Sequence, residues 1–251
     1  MSYVSTGMRP VDFSVCQYGQ SRFLLRGKRV RTDRPYWVCI GGANTYAEDI
    51  VTPFTTQLER HFKVPIINMG IAHSGPDAVM GDSDLMALVA RAERVIIEAP
   101  SCVNHSNRYY KVHPSRNDRF IRPMPDLVRL YPEIDFTDCH FTKHLLCKLL
   151  LCDQERFQII QDDLQNSWMD KMRTLIAWAG GAILWSAPRG RTTNEIDDML
   201  GVMPSDLAQL GQHVTIAQPL GHCGTGLSQK AHDTIGQKLV QMLDDAARRG
   251  Q

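Results

Sequence analysis

Five short apolar runs punctuate the chain, at residues 36–40, 64–68, 94–99, 181–185 and 213–217, and each opens into a loop rich in Gly, Ser, Asn or His. Runs of this length bounded by turn formers read as strands buried on both faces. Between them the hydrophobic period changes. Leu85, Leu88, Val89 and Ala92 fall at i, i+3, i+4 and i+7, the stripe of an amphipathic helix. Thr52 and Pro53 supply a cap and a first-turn proline for a helix to about Phe62. Residues 138–179 read as two helices broken near Cys152-Asp153. A last helix runs from about Ser228 to Ala247, with Ile235, Leu239 and Met242 as its buried stripe. This alternation predicts an α/β fold built on a five-stranded, parallel, doubly wound sheet with right-handed crossovers.

Two stretches stand outside the alternation. The N-terminal arm, residues 1–35, has no clear period; across residues 22–34, Arg22, Arg26, Lys28, Arg29, Arg31 and Arg34 accompany the single acid Asp33, which reads as a solvated arm over the sheet edge. In residues 108–135, Pro114, Pro123, Pro125 and Pro132 break any regular element, while Tyr109, Tyr110, Phe120 and Tyr131 argue for order. Across residues 108–122, Arg108, Lys111, Arg116, Arg119 and Arg122 stand against Asp118 alone. The insertion is either a basic surface loop or a lid that brings cations to a site.

Composition narrows the picture. A chain of 251 residues with 43% hydrophobic content buries one good-sized core, so residues 1–251 read as a single domain. The net charge of +1 gives no pull toward nucleic acid or a membrane surface. No apolar run is long enough to cross a bilayer, and the first thirty residues lack the apolar core of a signal peptide. Seven scattered cysteines with no C-x-x-C pair read as reduced thiols, hence a cytoplasmic location. His140, His144 and Cys147 share a helix face at a spacing that reaches a metal, but no acid lies between them, and they read as a polar face. No metal and no cofactor are expected.

Open α/β sheets bind ligands just outside the carboxyl ends of their strands. The floor of such a crevice is then residues 41–45, where Gly41-Gly42 lets backbone approach a ligand and Asn44 offers an amide. The second exit supplies Asn68, Gly70, Ser74 and Gly75; the third Ser101, Asn104, Ser106, Asn107 and Arg108. The fourth brings Ser186 and Arg189, and the fifth His222, with His232 behind it. Every exit is polar, which a merely structural sheet does not require. The two arginines and two neutral asparagine donors favour an anionic ligand.

The order of these motifs resembles the SGNH (GDSL-type) hydrolase superfamily over roughly residues 36–245. The resemblance implies a flavodoxin-like three-layer α/β/α sandwich. Ile40-Gly41-Gly42-Ala43-Asn44-Thr45 lies where that family has its nucleophile block, and Asn68-Met69-Gly70 with Gly75 resembles its second block, whose glycine amide helps form the oxyanion hole. Asn104 or Asn107 falls at the oxyanion asparagine. The nucleophile position is Ala43, however, and the family's Asp and His positions fall on Cys223 and Gly226. Loss of the serine alone removes on the order of 10⁶ in turnover, so an acyl-serine mechanism at Ala43 is not expected. His222 as base, with Ser74, Ser101 or Ser106 as a displaced nucleophile, is the catalytic alternative.

A closer resemblance is to a bacterial family of SGNH-like proteins of uncharacterised activity, connected with polysaccharide biosynthesis. It is carried by Gly42-Ala43-Asn44-Thr45-Tyr46, Pro53-Phe54, Asn68-Met69-Gly70, Ser106-Asn107 and Leu184-Trp185-Ser186-Ala187-Pro188-Arg189. Asn44 replaces the Gln of that pattern. The resemblance implies a degenerate or rewired site that acts on or binds a small-molecule or carbohydrate ligand of anionic type. The alternative is a non-catalytic binding or accessory protein on a decayed hydrolase scaffold. A nucleotide-binding reading lacks both a GxGxxG and a P-loop lysine. Whether the chain forms a homo-oligomer is left open.

Overall fold

The computed structural model describes residues 13–186, 199–215, 222–223 and 226–249. Its centre is a seven-stranded sheet. Five strands form the parallel body: β3 (Trp37–Gly41), β4 (Ile66–Gly70), β5 (Arg94–Glu98), β8 (Ile183–Ser186) and β9 (His213–Thr215). They lie in the order β4-β3-β5-β8-β9, with β3 between β4 and β5. All five coincide with the apolar runs. The sheet is nevertheless wider than the five strands expected. The N-terminal arm adds β1 (Val15–Cys16) and β2 (Leu25–Arg26), and β2 runs antiparallel to β4.

Alternation along each strand splits the core in two. Val38, Ile40, Val95, Ile97 and Leu184 face one side, where α4 (Ser83–Arg91) and the long α7 (Gln154–Trp178) cover them. Trp37, Cys39, Ile96, Ile183 and Trp185 face the other, under α2 (Phe54–Phe62) and the C-terminal α9 (Gln229–Arg249). Local chemistry sets the helix starts. Asp82 accepts from Leu85 N at 3.2 Å to open α4, and Asp153 accepts from Arg156 N at 2.9 Å. The latter cap separates α7 from α6 (Thr142–Cys152) where the sequence places the break.

The basic insertion is not structureless. It forms an antiparallel hairpin, β6 (Tyr110–His113) and β7 (Arg116–Pro123), followed by α5 (Pro125–Leu130). Its prolines sit where each is compatible: Pro114 in the turn, Pro123 at the strand end, Pro125 in the first turn of α5. Tyr110, Val112 and Phe120 are buried, and they tie the hairpin to the core. The short elements α1 (Ala43–Tyr46), α3 (Pro76–Met80), α8 (Pro204–Leu210), β10 (His222–Cys223) and β11 (Gly226–Leu227) complete the chain.

The arm also departs from the solvated reading: Tyr18, Phe23 and Leu25 join the core. Arg26 is buried, and its guanidinium donates to the carbonyls of Tyr46, Ala47 and Ile50. It closes the C-terminal end of α1, where carbonyls have no helical partner. Among the described residues no helix is long and apolar enough to cross a membrane.

Candidate functional site

Glu98 ends β5 directly beside the loop that leaves β3. Its Oε2 accepts from Gly42 N at 3.0 Å, Thr45 N at 3.0 Å and Thr45 Oγ1 at 2.6 Å, and its Oε1 accepts from Asn44 Nδ2 at 2.8 Å. The four donors close a ring around one carboxylate. The carboxylate thereby satisfies two amides at the start of α1, Gly42 N and Thr45 N, which a single helical turn leaves open. Burial pushes the Glu98 carboxyl above the ordinary glutamate range, while the bonds from Thr45, Asn44 and Gly42 pull the other way. The position is also the topological one. In the order β4-β3-β5 the chain reverses direction across the sheet between β3 and β5, where open α/β sheets form their crevice.

Gly41 makes this possible. A Cβ there would fall inside van der Waals contact of both the Thr45 hydroxyl and the Glu98 carboxylate. Sequence reasoning placed the floor at residues 41–45 but missed Glu98. The signal was available: an acid at the carboxyl end of Val95-Ile96-Ile97, the run paired with β3.

The neighbouring exits meet this floor. Ser74 Oγ lies 3.4 Å from the Gly41 carbonyl. Gly75 packs so tightly on Asn104 that a Cβ would overlap the Asn104 carbonyl, and the Gly75 amide donates to Asn117 Oδ1 at 2.7 Å. Gly226 of β11 lies beside Asn44, its side-chain position 3.7 Å from Oδ1. The exits of β3, β4 and β5 and the β10–β11 hairpin thus come together. Asn68 is committed internally: its amide donates to Thr45 O at 2.7 Å, and its oxygen accepts from Gly70 N at 2.8 Å. Gly70 lets α1 press on the end of β4.

The third exit turns away from the floor as it proceeds. Ser101 accepts weakly from Val103 N at 3.5 Å, and Asn104 Oδ1 accepts from Thr142 Oγ1 at 2.9 Å. Ser106 Oγ accepts from Val112 N at 3.2 Å, and its amide donates to Asp77 Oδ2 at 2.6 Å. Asn107 forms a turn, accepting from Tyr109 N and Tyr110 N at 2.9 and 3.1 Å. The loop docks on α7, where Lys171 pairs with Asp77 and His105 Nε2 lies 3.1 Å from Ser167 Oγ. Arg108 is exposed and pairs with Asp126, an ion pair that holds its own neighbourhood. It lines a cleft of about 420 Å³ with Asp163, Ser167 and Lys171, and none of the floor residues borders that cleft.

His232 is fully buried between α2 and α9. Its Nδ1 accepts from Phe54 N at 3.3 Å, so the ring proton sits on Nε2, and no hydroxyl or thiol bonds to the ring among the described residues. Burial holds its pKa down to about 4. It is a neutral packing residue at pH 7. The side chain of His222 and the whole of Arg189 lie outside the described residues. His140, His144 and Cys147 do not assemble a metal site, and no group of three or more His, Cys, Asp or Glu among the described residues does.

Chemically, the floor presents a carboxylate, an asparagine amide and a serine hydroxyl, with no nucleophile at Ala43. Such a set accepts hydrogen bonds from hydroxyl or amino groups of a ligand more readily than it accommodates a second anion.

A family model described as "Domain of unknown function (DUF6473)" matches residues 1–247. Among curated proteins, nothing matches the chain.

Proposed function

We propose that this chain, which belongs to the DUF6473 family, is an SGNH-hydrolase-like protein whose nucleophile loop serves as the floor of a binding site for a hydroxyl-rich, carbohydrate-type ligand. The parallel-strand order β4-β3-β5-β8-β9 supports the relationship, since 2-1-3-4-5 is the order of flavodoxin-like sheets. One observation carries the functional reading: Glu98 takes the Gly42 and Thr45 amides on either side of the nucleophile position, and the second-block amides of Gly70 and Gly75 are already given to Asn68 Oδ1 and Asn117 Oδ1. An acyl-transfer site needs amides aimed at a developing oxyanion. Here Gly42 N and Thr45 N already face a carboxylate at 3.0 Å, and a second negative charge beside it is disfavoured. Its Oε1 takes a single donor, Asn44 Nδ2, and keeps one lone pair for a sugar hydroxyl. Arg108, the described half of the arginine pair that favoured an anion, is engaged by Asp126.

A second reading keeps an enzyme with Ser74 as displaced nucleophile. One proximity favours it: His73, next to Ser74 in sequence, has Nδ1 3.6 Å from Asp118 Oδ2, within ion-pair range though beyond a hydrogen bond. A thermal-shift panel of neutral and uronate saccharides, run beside a short-chain nitrophenyl ester assay, separates the two. The binding reading expects stabilisation by neutral saccharides and ester turnover at background. Turnover at esterase rates that disappears in Ser74→Ala overturns it.

A further inference from the structure

We propose that the outward face of the β6–β7 hairpin is a docking surface for an acidic polysaccharide, gripped by Lys111, Arg119 and Arg122. The inference stands apart from the Glu98 floor, because it rests on a different element and on unpaired charge.

Lys111 and Arg122 are direct cross-strand partners. Like charges in that position repel and weaken a hairpin unless an anion lies between or over them. Elsewhere in the insertion each cation near an acid is paired: Arg116 with Asp118, Arg108 and Arg129 with Asp126. Lys111, Arg119 and Arg122 have no carboxylate within ion-pair distance among the described residues. The irregular register next to Lys111 inserts Ile121 as an extra residue, so Ile121 and Arg122 both point to solvent. A bulge of this kind re-aims side chains outward.

Arg119 is held ready. Its guanidinium lies 4.2 Å from the Phe141 ring centroid, and a bridge between Arg119 and Phe141 with Phe120 N donating to His140 O at 3.1 Å fixes the strand there. Stacked on a ring, a guanidinium keeps its edge N–H groups free for a carboxylate. The surface therefore offers three outward cations with an apolar interval at Ile121, which is 51% exposed. Polymers of uronic acid carry carboxylates at regular intervals with apolar C–H faces between them, and they match both features. An anionic bilayer fits less well, because Arg119 covers the Phe141 ring that would enter the acyl layer. Nucleic acid fits less well because the chain's net charge is only +1.

The test uses the full chain and immobilised polygalacturonate, with dextran as the neutral control, across a salt series. Wild type should bind polygalacturonate and not dextran, more weakly as salt rises. The triple variant Lys111→Gln, Arg119→Gln, Arg122→Gln should lose at least tenfold in affinity and most of the salt dependence, with an unchanged circular-dichroism melt. If the triple variant fails to fold, Arg122→Gln alone, at an exposed position, should lose at least threefold. Glu98→Gln should bind the polymer as wild type does. The proposal is overturned if wild type does not bind polygalacturonate, or if the basic variants bind it unchanged. It is equally overturned if phosphatidylserine vesicles or single-stranded DNA bind more tightly than the polymer. Loss of polymer binding in Glu98→Gln alone also overturns it, and moves the polymer into the crevice.

Discussion

Thr45 Oγ1 donates to Glu98 Oε2 at 2.6 Å, and this contact joins the loop of β3 to the end of β5. Thr45 is fully buried, so its hydroxyl has no water as a substitute. Replacing Thr45 by valine keeps the shape and removes the donor. Hydrogen bonds to charged groups are worth about 1.5–3 kcal/mol, so Thr45→Val should lower stability by about that amount while Thr45→Ser retains most of it. Urea unfolding of the three proteins checks the order.

The glycines of the floor differ in what they tolerate. At Gly41 a methyl group meets the Glu98 carboxylate, and at Gly75 it meets backbone, which yields less than a side chain does. At Gly42 the closest atom, Glu98 Oε1, is 4.0 Å from the added Cβ. Overpacking typically costs about 1–3 kcal/mol, so Gly41→Ala should lose stability in that range and Gly75→Ala at its upper end or beyond. Gly42→Ala should melt near wild type. Equal losses at Gly41 and Gly42 would contradict the geometry.

Arg26 separates two kinds of basic residue. Three carbonyls, those of Tyr46, Ala47 and Ile50, accept from one guanidinium. A lysine brings a point charge with no planar fork. Arg26→Lys should therefore destabilise nearly as much as Arg26→Ala, by about 1.5–3 kcal/mol on the scale of lost charge-assisted bonds. Arg31→Lys, in an exposed pair with Asp33, should change the melt little.

Much of this fold is legible in the sequence, because strands buried on both faces leave continuous apolar runs. Residues 36–40 and 94–99 show this directly. The hairpin at 110–123 was not legible, because prolines that mark turn, strand end and helix start in the structure read as breakers in the sequence. The edge strands β1 and β2 are two residues each, too short to carry a period. At the site, the floor and its neighbouring exits were legible from topology. Glu98 was not, since a single acid closing an apolar strand looks like any strand end until its four donors are seen.

Acid should unfold the protein through two buried imidazoles. His232 and His105 are each held down to about 4, chiefly by burial, whereas an unfolded histidine titrates near about 6.5. Between those values the unfolded chain binds more protons, so their contribution is complete above the unfolded value and is lost as pH falls toward the folded one. Glu98 works in the opposite sense. Its raised folded pKa makes the folded state hold a proton longer, so its contribution is complete below the ordinary glutamate range and declines as pH rises through the folded value. Unfolding free energies at stepped pH should show His232→Gln flattening the acid limb and Glu98→Gln flattening the opposing drift. A His232→Gln profile that parallels wild type across the histidine window would contradict the assignment of a buried neutral ring.

Calorimetric titration of a neutral oligosaccharide that stabilises wild type, repeated on Glu98→Gln, tests the central claim most directly. The carboxylate is the acceptor at the crevice floor, and loss of a charge-assisted bond of about 1.5–3 kcal/mol corresponds to roughly ten- to a hundredfold in affinity. The expected result is that loss in a variant that still unfolds cooperatively. Identical affinities in wild type and Glu98→Gln would contradict the claim.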